Sequence, residues 1–385
     1  MVPRKLQKLI LNKLKTFPAV ALLGARQSGK TTLAETFSSI YYDLELEEER
    51  LRLDLQWDSL RDAKEPIILD EAQSFPALFP RIRSAIDKDR KRNSRFIILG
   101  SVSPGLMKEV SEFLTGRIAL CELAPFSLTE LEAKKPDALW LMGGYPDGGV
   151  LNHKSFPMWQ QNYLDLLAMR DLPVWGLPAA AQVTKRLFKM LAASHGTVWN
   201  ASQIGKSLGV SYHTVNTYVD HLEQAFLLRR VHPYYANIRK RLIKSPKIYW
   251  RDSGLLHSLL AVHNLENLIA HPHVGVSWEG WVIEQILMFL SNQGIACDGP
   301  FYMRTSDGHE LDLILNLSGK IWGVEIKLTA APSPEDFKKL EKACTLIKAD
   351  TMVLISRTEH PAISAGAISV NLKKFLAYLA ERQGM

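Results

Sequence analysis

Gly24, Gly29, Lys30 and Thr31 stand in the order G-x-x-x-x-G-K-[ST], the pattern of a loop that wraps phosphate. Ala25, Arg26, Gln27 and Ser28 fill the loop and Thr32 follows it. The residue types match the chemistry. Glycines let backbone N–H groups turn inward around phosphate oxygens. Lys30 brings a cation to the β- and γ-phosphates, and Thr31 brings a hydroxyl to Mg2+. A helix starting here points its positive end at the same anion. Further along, the apolar run Ile67–Leu69 ends in Asp70 and Glu71. A strand ending in two acids is the second half of such a site: Asp70 would hold Mg2+, and Glu71 would polarise the attacking water as general base. Phe96–Leu99 is a further apolar run, which makes Ser101 at its end a candidate sensor of the γ-phosphate. Arg117 is a candidate catalytic arginine or, equally, a surface ion-pair partner. An arginine supplied from a neighbouring copy would imply a homo-oligomer.

A second set lies near the other end of the chain. Asp312 falls in one predicted strand, and Glu325 and Lys327 lie two apart in the next, so they share a face. Glu279 lies on the preceding amphipathic helix. Asp312, Glu325 and Glu279 would ligate Mg2+ through oxygen, and Lys327 would orient or activate water. Burying such charges on one face is costly unless they are used.

A third set is polar and basic. Asn200 and Ser211 cap two predicted helices with Gly209 between them, and Ile204, Leu208, Val210, Val215, Val219 and Leu222 suit a helix-turn-helix core. Tyr212, His213, Thr214, Asn216 and Thr217 would face a DNA major groove. Arg239, Lys240, Arg241 and Lys244 would meet phosphates from the tip between two strands. A protein partner is the other reading, because winged helices serve both.

The elements that must carry these groups follow from periodicity. Leu6, Ile10, Leu11 and Leu14 predict a helix before the phosphate loop, and the loop itself leads into a helix over 31–37. SIYYDLEL predicts a second strand. Pro173, Gly176 and Pro178 mark a linker. The aromatic stripe of Trp140, Trp159 and Tyr163 reads as core. From Trp278 onward the order is helix, three strands, helix, strand.

The ordered motifs GARQSGKTTLA, ILDEAQ, LGS, GR before an apolar strand, LAPFSLTEL, GGYP and the Arg170-Asp171-Leu172 step resemble the AAA+-related P-loop ATPases of bacteria and archaea that carry an uncharacterised C-terminal domain. Leu99 stands where that family often has Thr. The C-terminal D…ExK pattern resembles the PD-(D/E)XK nuclease core. These resemblances imply an α/β protein in which an N-terminal AAA+-like ATPase with a parallel sheet (1–135) is followed by a helical lid and linker (136–178). A winged helix (179–252) and a restriction-endonuclease-like domain (253–385) complete it. ATP and Mg2+ are the implied cofactors. The activity expected is ATP hydrolysis coupled to DNA binding, with metal-dependent DNA cleavage as a further step; the alternative is an ATP-gated switch whose winged helix binds a protein partner and whose last domain is inert.

Composition sets the frame. The chain has 385 residues, enough for two or three domains, and a net charge of +7 that suits an anionic partner such as DNA. Cys121, Cys297 and Cys344 are far apart and lack metal-ligand spacing. No apolar run approaches the roughly 20 residues that span a bilayer, and the basic N-terminal stretch lacks a signal-peptide core. A cytoplasmic protein without membrane attachment is the expectation.

Overall fold

A computed structural model describes residues 2–101, 110, 112–131, 136–234 and 242–382. Five described strands form the N-terminal sheet: β1 (Ala19–Gly24), β2 (Tyr41–Asp43), β3 (Ile67–Asp70), β4 (Phe96–Ser101) and β5 (Ile118–Glu122). Their order is β2-β3-β4-β1-β5, and every described pairing is parallel. The continuous apolar runs explain this. A strand covered on both faces needs apolar residues at every position, and β1 is buried throughout. Because all strands run the same way, Gly24, Asp70 and Ser101 emerge at one edge of the sheet.

The Leu6–Thr16 helix packs Leu6, Ile10 and Leu14 against one face of β1, with Val20 and Leu22. Leu11, read as part of that stripe, is 45% exposed; it lies off the i, i+4 line on which the other three fall. The helix after the phosphate loop is shorter than predicted, Lys30–Ala34. Its last turn tightens into i to i+3 bonds, from the Thr36 and Phe37 amides to the Leu33 and Ala34 carbonyls.

The second sheet has the order β12-β13-β11-β10-β9-β8-β6-β7. Its strands are β6 (Leu228–Pro233), β7 (Lys247–Trp250), β8 (Cys297–Arg304), β9 (Glu310–Leu317), β10 (Lys320–Ile326), β11 (Thr351–Ser356), β12 (Ala362–Ser364) and β13 (Ala367–Asn371). The Val274–Gln293 helix is buried along most of its length. Two strands that follow the helix-turn-helix segment therefore do not stand free. β6 and β7 pair antiparallel, and β6 joins β8, so they extend the C-terminal sheet.

The Ala201–Leu208 and Tyr212–Gln224 helices form as read, capped by Asn200 and Ser211. Val215, Val219 and Leu222 pack with Leu187, Phe188, Tyr163 and Leu167 in one core that also takes in Ala25 of the phosphate loop. Among the described residues, no helix is long and apolar enough to cross a membrane.

Candidate nucleotide site and a second acidic centre

The loop between β1 and the Lys30–Ala34 helix needs its two glycines for different reasons. A Cβ on Gly24 would stand 2.2 Å from the Leu123 carbonyl oxygen, so only glycine fits there. Gly29 has φ +91°, a left-handed conformation that strains any side chain. Lys30 is buried and donates to the carbonyls of Gly24 (3.1 Å) and Ala25 (2.9 Å). Burial lowers its pKa to about 8, while the Glu71 and Asp70 charges pull it back up.

The Thr31 hydroxyl donates to Asp70 Oδ2 at 2.6 Å. Tyr41, a residue the motif reading missed, donates to the same oxygen at 3.0 Å. Asp70 Oδ1 accepts the Glu71 N–H at 2.8 Å. Glu71 itself adopts φ 47°, ψ 44°, a left-handed conformation that costs a non-glycine residue roughly 1 kcal/mol or more. That turn at the strand end places its carboxylate beside Gln73, which donates to it. Burial raises the Glu71 pKa; the Gln73 bond and the charges of Lys30 and Arg26 oppose the rise.

These groups line one cavity of about 480 Å³, with Arg26, Gln27, Gly29, Lys30, Thr31 and Thr32 on the loop side and Asp70 and Glu71 across from them. Its size falls in the range of small-molecule sites. Val2, Pro3, Phe126, Pro146 and Leu151 supply its apolar wall. Ala25 and Ser28 of the loop are buried. Ser101 pairs with Gly24 across β4 and β1, so its backbone lies at the same edge.

Arg4 is a further residue that sequence reasoning missed. It donates to the Ser28 carbonyl (2.9 Å), the Ala124 carbonyl (2.6 Å) and Glu130 (3.0 Å), clamping the phosphate loop from outside. A lone arginine in a basic stretch gives no signal of this. Arg26 is tied to the buried Asp171, and Tyr163 donates to the Arg26 carbonyl at 3.1 Å. The Arg170-Asp171 step thus meets the phosphate loop directly.

Arg117 lies elsewhere. It precedes β5, whose first residue pairs with Ala19 at the start of β1, the edge opposite the loop. Its Nε and Nη2 hold both carboxylate oxygens of Asp87, at 2.8 and 3.0 Å. A catalytic role inside its own site is excluded by that placement.

The C-terminal set assembles differently from expectation. Asp312 and Glu325 do converge, but the ammonium of Lys247, from β7, sits among the acids. It lies 3.1 Å from Glu279, 2.9 Å from Glu310 and 3.8 Å from Asp312. Tyr249 also donates to Glu279. Glu325 pairs with Lys327 at 2.6 Å, and Asp312 accepts the Ile326 N–H at 2.8 Å. Burial first, then the Glu279 and Glu325 charges, push the Asp312 carboxyl well above the usual range. Among the described residues, no three acidic, histidine or cysteine groups are placed to hold a metal ion. Glu279, Asp312 and Glu325, read from the sequence as Mg2+ ligands, share this centre with Lys247 and Lys327, and Glu325 Oε2 is buried without a hydrogen-bond partner. The sequence signal for Lys247, a lysine opening the apolar run KIYW, was present but pointed nowhere by itself.

On the helix-turn-helix, Tyr212 is 49% exposed and stacks near His213. His213 and Thr217 are exposed, and Thr214 is half-buried at the cap, its N–H bonded to Ser211. Asn216 Oδ1 accepts from the Trp199 ring N–H at 2.9 Å, so part of its hydrogen-bonding capacity is used within the fold. Arg239, Lys240 and Arg241 lie outside the described residues. Lys244 is exposed.

The parallel sheet, the phosphate loop at its edge and the acid pair across from it define an AAA-type P-loop ATPase domain, and residues 16–132 match the family described as AAA domain. Residues 133–266 and 274–375 match two domains of unknown function (DUF8612 and DUF4143). Uncharacterized protein Rv2008c of Mycobacterium tuberculosis is 37% identical over 321 residues, covering 82% of this chain and 71% of the relative. An uncharacterized protein of Mycobacterium bovis, Mb2031c, matches equally. The chain belongs to the same family as these uncharacterized proteins. A Haemophilus influenzae uncharacterized protein is 24% identical over 307 residues, covering 69% of this chain and 76% of its own. The solved Walker-type ATPase PABY2304 of Pyrococcus abyssi aligns with a TM-score of 0.46 and 17% identity, over 68% of this chain and 96% of that one.

Proposed function

We propose that the protein binds and hydrolyses ATP with Mg2+ and passes its nucleotide state to the middle segment through Arg26 and Asp171. The observation that carries this reading is the 2.6 Å bond from Thr31 to Asp70, made in the cavity that also holds Lys30 and Glu71. A hydroxyl and a carboxylate that already touch are the pair that would hold Mg2+, which would supply charge neutralisation at the phosphates. The loop amides and Lys30 bind and orient the triphosphate. Glu71, kept at a raised pKa, takes up proton density from the attacking water. Arg26 stands beside the phosphate cradle while paired to Asp171, so phosphate competes with Asp171 for the guanidinium.

The direct experiment is ATP turnover of the full chain against Lys30→Ala. Turnover should fall by at least about 100-fold, since loss of a transition-state cation removes several kcal/mol. Equal turnover in the two proteins would end the assignment.

A second reading concerns the ligand of the helix-turn-helix. The exposed Tyr212 and His213 at the start of the Tyr212–Gln224 helix, with Thr214 half-buried beside them, support DNA contact, and Arg239, Lys240, Arg241 and Lys244 would add phosphate contacts. Charge reversal of those four should weaken DNA binding and flatten its salt dependence. Unaltered DNA affinity would favour a protein partner. For Arg117 to act on a neighbouring copy, its pair with Asp87 would first have to open.

A further inference from the structure

The acids of the C-terminal domain raise a question that the ATPase reading does not touch. Four carboxylates, Glu279, Glu310, Asp312 and Glu325, gather where β9, β10 and the Val274–Gln293 helix meet, and something must balance them. We infer that Lys247 holds the place of a divalent cation in this centre, so that the C-terminal domain takes no metal there and is joined to the middle segment through that lysine.

The geometry is that of an ammonium in a made-to-measure cage. Lysine has three donors and no acceptor. Three carboxylates from two elements, β9 and the Val274–Gln293 helix, surround its Nζ: Glu310 at 2.9 Å, Glu279 at 3.1 Å and Asp312 at 3.8 Å. The side chain is 4% exposed, and its Nζ also lies 5.5 Å from the centre of the Tyr302 ring. Nor is the lysine a floppy visitor. Its backbone pairs with Val231 in β6 and bridges to Val198. Two further basic groups meet these acids: Lys327 is taken by Glu325, and Arg304 lies at the rim 3.7 Å from Glu310.

A metal cannot simply be added. Mg2+ requires oxygen ligands at about 2.1 Å in near-octahedral order. One oxygen each of Glu279, Glu310 and Asp312 faces the ammonium, Asp312 Oδ2 is held by the Ile326 amide, and Glu325 Oε1 is held by Lys327, which leaves Glu325 Oε2 as the buried carboxylate oxygen without a hydrogen-bond partner. A second cation among these acids would lie within a few ångströms of the lysine's charge, where like charges repel most strongly. The consequence is structural. β7 belongs in sequence to the middle segment, whereas β9 and the 274–293 helix belong to the last. Lys247 is therefore a charged rivet between the two.

Mn2+ binding measured by electron paramagnetic resonance tests this without relying on any activity. The full chain carries Asp70→Asn and no nucleotide is added, which removes the ATPase site from the titration. We expect no binding site that depends on Asp312 up to about 1 mM Mn2+, the weak end of biological carboxylate sites. A site in this chain that Asp312→Asn abolishes would overturn the inference. Adding Lys247→Met should create one Mn2+ site, again abolished by Asp312→Asn. A Lys247→Met chain that folds normally yet gains no site would also overturn it. Should that variant not fold, the titration of the lysine-containing chain decides.

Discussion

Two places in this molecule bury carboxylates at the ends of strands, and they solve the same electrostatic problem in opposite ways. At the end of β3, Asp70 and Glu71 face a cavity, and Asp70 is satisfied by hydroxyls: Thr31, Tyr41. The site keeps room for a ligand that brings its own cation. In the C-terminal sheet, Glu279, Glu310 and Asp312 close around Lys247. There the chain supplies the cation itself. Carboxylate spacing therefore does not identify a metal site; what identifies it is whether the counter-charge is already part of the fold.

The comparison is most exposed at Glu71. Glu71→Gln should cut ATP turnover by roughly 100- to 1,000-fold while nucleotide binding persists, because a general base contributes about that much and a cradle of amides does not depend on it. Steady-state turnover alongside equilibrium binding of a fluorescent nucleotide separates the two. Retained turnover would leave the two acid clusters without a functional difference.

Stability offers the next contrast. Lys247→Met strands several buried carboxylates, and breaking a buried pair in this way costs roughly 3–5 kcal/mol. Asp70→Asn in the nucleotide-free protein leaves Thr31 and Tyr41 with an acceptor and should cost about 1 kcal/mol or less. Urea unfolding of the three proteins gives both numbers; equal losses would mean that the two centres are alike in kind.

The two lysines should also separate with pH. Burial brings Lys30 down to about 8, whereas for Lys247 the charges of Glu279, Asp312 and Glu310 outweigh burial and raise its pKa. Between pH 8 and 10.5 the free protein has lost the Lys30 proton that the unfolded chain still keeps, so folding stability gains with pH there. Phosphate binding needs the proton back. ATP affinity should accordingly be flat below pH 8 and weaken by up to about tenfold per pH unit above it. Calorimetric titration across pH 7–10 would show the break, and an affinity that stays constant to pH 10 would contradict it.

The smallest effect is expected at the link between domains. Asp171→Asn removes the charge opposing Arg26 and should change ATP affinity by a few-fold, corresponding to about 1 kcal/mol for a partly exposed charged hydrogen bond. Affinity within twofold of the original would mean that the pair positions the loop without sensing the nucleotide.

Much of the first site was legible in the residues. A phosphate loop is local: Gly24 through Thr31 are contiguous, and their types follow from what one turn of backbone needs around an anion. The apolar runs of β1, β3 and β4 announced a parallel sheet because strands covered on both faces cannot alternate. The Asp70-Glu71 step could be placed at the same edge because parallel strands end together. Helix caps at Asn200 and Ser211 were equally local, and both formed.

What only the tertiary structure decided is which distant side chains meet. Arg4 reaches Ser28 and Glu130, Arg26 finds Asp171, and Arg117 turns to Asp87 at the far edge of the sheet. Asn216, exposed on paper, accepts from Trp199. Most of all, Lys247 enters an acidic centre whose nearest member in sequence, Glu279, lies on another element. Spacing along a chain reports which face of a strand or helix a group occupies. The partner that neutralises a buried charge is chosen by how elements pack, and no local period carries that information.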